Sequence, residues 1–154
     1  MSWQAYSLDR IAQELVIKYR HQDVLNESHK MRMTVAYGLE RFWGEHLRLR
    51  NEVEGQYWKD VWDALVNNIL QPGKIPLPND PVNIEDPPRQ ETQDQKKARE
   101  ARNTKQIENM ANKLWKFADE HPDDQRVALA VLTQLCDCLV WWTQRYKPKN
   151  HNSQ

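Results

Sequence analysis

The residue types that perform catalysis in enzymes are present in this chain, but they are scattered. The five histidines are His21, His29, His46, His121 and His151. None lies in a His-Glu-x-x-His or Glu-x-x-His motif, either of which would place metal ligands on one helix face. The sequence also has no glycine-rich phosphate loop and no nucleophile elbow. We therefore expect a protein that is not an enzyme and that holds neither a metal nor a cofactor.

Two other groups of polar side chains have structural explanations. Carboxylates cluster over 119–124, where helix ends and caps explain them better than metal binding does. Cys136 and Cys138 would point about 200° apart on a helix, so they cannot pair with each other. We expect two small buried side chains in a reducing, cytoplasmic compartment. We expect His46, on the apolar face of a helix, to be structural.

The one charge pattern with a defined geometry lies between 96 and 116, where seven basic residues accompany two acidic ones. On a helix, four of these cations fall within about 80° of one another: Arg102, Lys105, Lys113 and Lys116. The opposite side is apolar and includes Met110 and Leu114. Such a row, about 20 Å long, could follow a phosphate backbone without reading bases. An ordinary solvated face is the alternative, and the sequence leaves both open.

Further candidates for RNA contact are Arg99 in the same segment and Arg41 and Arg48 on the polar side of an earlier helix. The chain as a whole carries 22 basic and 22 acidic residues, so it has no net charge to attract a polyanion. Any electrostatic function must therefore come from local asymmetry.

The elements that position these residues are predicted to be helices. Six of the eight prolines lie within 72–88, and outside that window little interrupts a helical period. We expect an all-α helical bundle of about five helices, near 7–19, 26–50, 53–70, 95–120 and 124–147. The predicted organisation is an N-terminal half (1–71), a mobile proline-rich linker (72–94), a C-terminal hairpin (95–149) and a disordered tail (150–154).

The last predicted helix is apolar in almost every direction, and such a helix must be buried on several sides. It is therefore the central helix of the bundle or half of an interface. The candidate core and interface residues are Leu135, Leu139, Trp141, Trp142 and Arg145. No N-terminal signal peptide or membrane-spanning run is recognisable, so we expect no membrane association.

The tract LTQLCDCLVWWTQRYK at 132–147 resembles the closing helix of the small all-helical subunit of type III CRISPR effector complexes. In that family a leucine-rich helix ends in a tryptophan followed by a basic residue, here Trp142 and Arg145. The segment AYGLERFW at 36–43 is similar to that family's Gly-Leu segment before an aromatic residue. The resemblance implies a non-catalytic subunit that stacks with copies of itself and other subunits. Its basic residues would line the path of guide and target RNA.

A second class of function is consistent with the same residues. A helical adaptor that binds only proteins would use exposed tryptophans such as Trp3 or Trp141 as anchors and would leave its lysines solvated. Salt-dependent binding to RNA distinguishes the two classes.

Overall fold

The computed structural model describes residues 5–147, with side chains from Ser7 onward, and within that range it is all-helical with no strand. The predicted all-α class is thus confirmed, although the described residues form six helices where about five were predicted. They are α1 (Ala5–Tyr19), α2 (Glu27–Thr34), α3 (Leu39–Arg48), α4 (Val53–Asp63), α5 (Gln93–Glu120) and α6 (Pro122–Tyr146). The tail predicted at 150–154, like Trp3, lies outside the described residues.

The additional helix comes from a break at Gly38. The segment predicted as one helix over 26–50 is two helices, joined by a short 3₁₀ turn at Val35–Tyr37. Gly38 has a φ of 105°, a conformation that residues with a side chain rarely adopt. Because this φ is incompatible with a right-handed helix, α2 and α3 take different directions on its two sides.

The centre of the bundle is α6. It lies along α1 and also contacts α2, α5 and the π-helical turn Ala64–Leu70 that continues α4. Leu135 and Leu139 are completely buried. By length and composition alone α6 could cross a membrane; in this structure one side of it packs against five neighbouring elements, as in the core helix of a bundle.

A buried hydrogen-bonded cluster fixes α6 against two of its neighbours. The hydroxyl of Ser28 in α2 lies 2.6 Å from that of Tyr57 in α4 and 2.8 Å from that of Thr143 in α6. All three side chains are buried, so each hydroxyl needs a partner inside the protein. The cluster supplies these partners and thereby sets the register of the three helices.

The segment between α4 and α5, predicted as a mobile linker at 72–94, contributes two buried residues and several hydrogen bonds to the bundle. It has no helix over 75–92, as its prolines predict, yet Ile75 and Leu77 are buried in the same core as the helices. Asn79 accepts a hydrogen bond from the indole of Trp62 (3.1 Å) and donates one to Asp63 (2.9 Å). The two predicted halves therefore share one core, in which α1 and α2 pack against α6 and the buried Ile75 and Leu77 take part.

Candidate nucleic-acid interface on the fifth helix

Helix α5 presents its cations to solvent and its apolar stripe to the bundle. Met110, Leu114 and Phe117 are buried, while the cations of the predicted row are exposed: Arg102, Lys105, Lys113 and Lys116. From Gln93 to Asn109 most residues of the helix are exposed, and only Arg99, Asn103 and Gln106 are partly covered. The first part of α5 is thus a helical arm at the surface of the bundle.

The beginning of this arm is well defined. Thr92 accepts a hydrogen bond from the backbone N–H of Gln95, and the Gln95 side chain accepts one from the backbone N–H of Thr92. This capping box satisfies two backbone donors that the first helical turn would otherwise leave unpaired. Arg99 pairs with Glu91 through two hydrogen bonds of 2.8 and 3.2 Å, and both side chains are nearly enclosed.

An acidic segment runs alongside the basic row. Residues 79–86, which we call the acidic strap, contain three carboxylates and no basic residue. Asp80 pairs with Lys113, and Glu85 binds Arg102 through two hydrogen bonds of 2.7 and 2.8 Å. The structure therefore supplies two cations of the predicted row with carboxylates from the segment that precedes α5. Lys105 and Lys116 have their nearest carboxylates on α5 itself, each 3.8 Å away.

Side-chain amides of α5 hold the backbone of the strap. Gln106 accepts a hydrogen bond from the N–H of Asn83 and donates one to its carbonyl, both at 2.8 Å. Asn103 does the same for the N–H (2.9 Å) and carbonyl (3.0 Å) of Glu85. A neighbouring β-strand would satisfy an extended backbone in the same way. The strap is thus held extended by contacts that do not depend on most of its side chains.

On its other side the strap contacts Arg50, which lies just after α3. The Arg50 guanidinium donates to Asp86 at 3.0 Å, and the Asn51 amide lies 3.5 Å from the same oxygen. The two arginines of this region that were predicted to contact RNA have different partners. Arg41 lies over the ring of Tyr37, and Arg48 pairs with Glu45. The structure thus brings Arg50 to the strap, and shows Arg41 and Arg48 in contacts with nearby residues of their own segment.

Glu85 has a lowered pKa because its carboxylate is paired with Arg102. The hydrogen bonds from Arg102 hold the pKa of this carboxyl below its usual range. Because the folded pKa is lowered, the pair stabilises the contact between the strap and α5 above the ordinary pKa of glutamate, and this contribution is lost as pH falls through the lowered value. The pair is therefore fully charged at neutral pH.

The interface residues predicted on α6 separate into two groups. Leu135 and Leu139 lie inside the bundle, whereas Trp141 is 46% exposed. Arg145 stacks on Trp141, with its guanidinium 3.5 Å from the ring centre. The indole of Trp142 is partly buried and donates to Asp9 of α1 at 3.2 Å. Trp141 and Arg145 thus form an exposed pair, while Trp142 joins two helices.

The histidines and cysteines considered above for catalysis or metal binding do not form a cluster in the described part of the chain. Among the described residues, no three His, Cys, Asp or Glu side chains are close enough together to bind a metal ion. His46 contacts the carbonyl of Trp43 through Nδ1, and burial lowers its pKa so that the ring is neutral. Burial likewise raises the pKa of Cys138 to about 12 and that of Cys136 further, so both thiols stay protonated.

Comparison with known proteins gives no family: the chain matches no family model, no curated protein and no solved structure.

Several residues of this surface were missed by sequence reasoning. Asn103 and Gln106 hold the strap, Arg50 pairs with it, and Trp115 is 51% exposed between Lys113 and Lys116 in sequence. A signal existed in the charges, since an acidic stretch at 79–94 directly precedes the basic stretch at 96–116. Opposite charges adjacent in sequence indicate that the two stretches pair.

Proposed function

We propose that this chain is a non-catalytic helical subunit of a cytoplasmic ribonucleoprotein effector complex, of the kind found in type III CRISPR defence. The cations of α5 contact the backbone of guide or target RNA, independently of sequence. Other subunits and further copies of the chain pack against its helix faces. The observation that carries the proposal is the exposed basic side of α5, set opposite the stripe that packs into the bundle. The resemblance of 132–147 to the closing helix of such subunits adds support.

The ion pairs on α5 are compatible with binding to a polyanion. The side chains of Arg102, Lys113 and their carboxylate partners are each between 42% and 56% exposed. Exposed ion pairs typically contribute about 0.2 to 1 kcal/mol to folding stability, and salt screens them. An RNA strand offers many phosphates and gains free energy by releasing condensed counterions. RNA phosphates can therefore replace Glu85 or Asp80 as the partner of a cation on α5 at little cost in free energy.

A protein-only adaptor is the second candidate, and a specific observation favours it. Arg99, Arg102 and Lys113 each have a carboxylate partner within the chain, which lowers the positive potential of the row. In addition, Trp141 and Arg145 form an exposed aromatic–cation pair of the type that anchors protein interfaces. In this case RNA would bind weakly or not at all, and the partner would cover Trp141.

A charge reversal on α5 tests the proposal. Lys105, Lys113 and Lys116 are replaced together by Glu, and binding is measured by fluorescence anisotropy on single-stranded RNAs of several sequences. We expect affinity to fall about equally for all sequences, because backbone contacts carry no sequence information. The slope of log K against log salt should become shallower by roughly 2, since each lysine that neutralises a phosphate of single-stranded RNA adds about 0.7 to it.

The matched control reverses three exposed cations outside α5: Arg10, Lys74 and Arg126. It changes the net charge by the same amount, so an effect of net charge alone would weaken RNA binding equally in both variants. Circular dichroism verifies that helix content is unchanged in both. Equal binding by the α5 variant, the control and the unmodified chain would contradict the RNA proposal and favour the adaptor.

A further inference from the structure

The acidic strap matches the basic row in length as well as in charge. The cations that it pairs with, Arg102 and Lys113, are eleven residues apart on α5, or about 16 Å along the helix axis. Their partners Glu85 and Asp80 are five residues apart, and five residues of extended chain also span about 16 Å. The strap thus lies extended beside α5 and places negative charges along the course that a polyanion would take.

The contacts of the strap are mostly polar between two firm anchors. One anchor is formed by the buried Leu77 together with Asn79, which is hydrogen-bonded to α4. The other is the capped start of α5, where Glu91 is enclosed with Arg99. Between them Val82 and Ile84 are only partly buried, and the remaining contacts are hydrogen bonds and exposed ion pairs. Departure of the strap from α5 would thus break mainly polar contacts, and both anchors would remain intact.

We propose that the acidic strap occupies the place of the RNA backbone on α5, so that RNA binds only when the strap is displaced. This inference depends on the proposed function, because it concerns access to the same site. Displacement frees Arg102 and Lys113 for phosphates and releases Arg50 from Asp86, which adds a cation on the opposite side of the path. Lys105 and Lys116, whose nearest carboxylates lie on α5, remain available for first contact.

Tethering explains why the strap closes in the absence of RNA. A segment attached at both ends acts at a high effective concentration, so weak contacts suffice to keep it in place. The amide pairs from Asn103 and Gln106 add hydrogen bonds that RNA phosphates cannot make in the same form, since a phosphate without protons only accepts. The strap therefore raises the threshold for binding, and strands that make only one or two contacts are excluded.

Neutralising the strap provides the test. The variant carries Asp80→Asn, Glu85→Gln and Asp86→Asn, which keep the shapes of the side chains and remove their charge. The control carries Glu14→Gln, Glu52→Gln and Asp123→Asn, three exposed acids outside the strap, with the same change of net charge. Binding of single-stranded RNA is measured for both and for the unmodified chain. We expect roughly tenfold tighter binding by the strap variant, equivalent to about 1.4 kcal/mol, and a much smaller change in the control.

A second measurement follows the strap itself in the unmodified chain. A protease specific for glutamate is added with and without saturating RNA, and cleavage after Glu85 is compared with cleavage after Glu52, which lies in the turn before α4. We expect RNA to increase cleavage after Glu85 relative to Glu52, because displacement exposes the strap backbone.

The outcomes distinguish this inference from the function on which it depends. If strap and control variants bind RNA equally and RNA does not promote cleavage after Glu85, the strap does not compete with RNA. The proposed function then still stands provided that the α5 charge reversal weakens binding. If the reversal has no effect either, both proposals are contradicted.

Discussion

Replacing Leu135 by Asp is expected to abolish the cooperatively folded state. Leu135 is completely buried near the middle of α6, the helix around which the bundle is built. The substitution removes a buried leucine, which typically costs about 2–5 kcal/mol, and places a carboxyl group among apolar side chains. Because a domain is stable by only about 5–15 kcal/mol in total, most of that stability is lost. Thermal unfolding followed by circular dichroism measures the effect.

The same substitution at Ala130, an exposed position on α6, is the control. A surface change of this kind is expected to alter stability by no more than about 0.5 kcal/mol. If Leu135→Asp unfolded at the same temperature as the Ala130→Asp variant, the central position of α6 would be contradicted.

Substituting Gly55 by Ala is expected to destabilise the protein by about 3 kcal/mol, the upper part of the usual range for overpacking. Gly55 lies in the first turn of α4, and a Cβ there would overlap the backbone carbonyl of Leu49. Because a backbone atom cannot move aside as the end of a side chain does, the turn between α3 and α4 has to open. Urea unfolding measures the change through its midpoint.

Gly44 offers a matched control with the opposite expected sign. It lies in α3, and a Cβ there would meet no atom within 4 Å. Alanine at this position should therefore stabilise the helix by up to about 1 kcal/mol. If the urea midpoint shifted in the same direction and by the same amount for Gly44→Ala and Gly55→Ala, helix propensity, and not the contact with Leu49, would determine the stability change at both positions.

The helical class and the last two helices could be predicted from local features. The segment predicted at 95–120 is observed at Gln93–Glu120, because its period is uninterrupted until Pro122. The break at Gly38 was not predicted, since a single glycine costs a helix only about 1 kcal/mol and many helices tolerate one. The sequence shows that Gly38 can adopt the positive φ that the structure has, but not that it does.

The row of cations on α5 could also be predicted, but its surroundings could not. Helical geometry alone places Arg102 and Lys113 on one side of a helix. Which carboxylates reach them depends on the path of 79–86, a segment without any period. That path is set by the burial of Leu77 and by the amides of Asn103 and Gln106, and neither leaves a repeating pattern in the sequence.

The central claim, that α5 contacts RNA, is tested most directly by photo-crosslinking. Single-stranded RNA containing 4-thiouridine is irradiated with the unmodified chain, and the peptides that carry nucleotide are identified by mass spectrometry. We expect crosslinks to be concentrated on α5 between Lys97 and Lys116, where Trp115 and the cations are exposed. Crosslinks confined to other helices, or a yield no higher than in the variant with Lys105, Lys113 and Lys116 reversed, would contradict the claim.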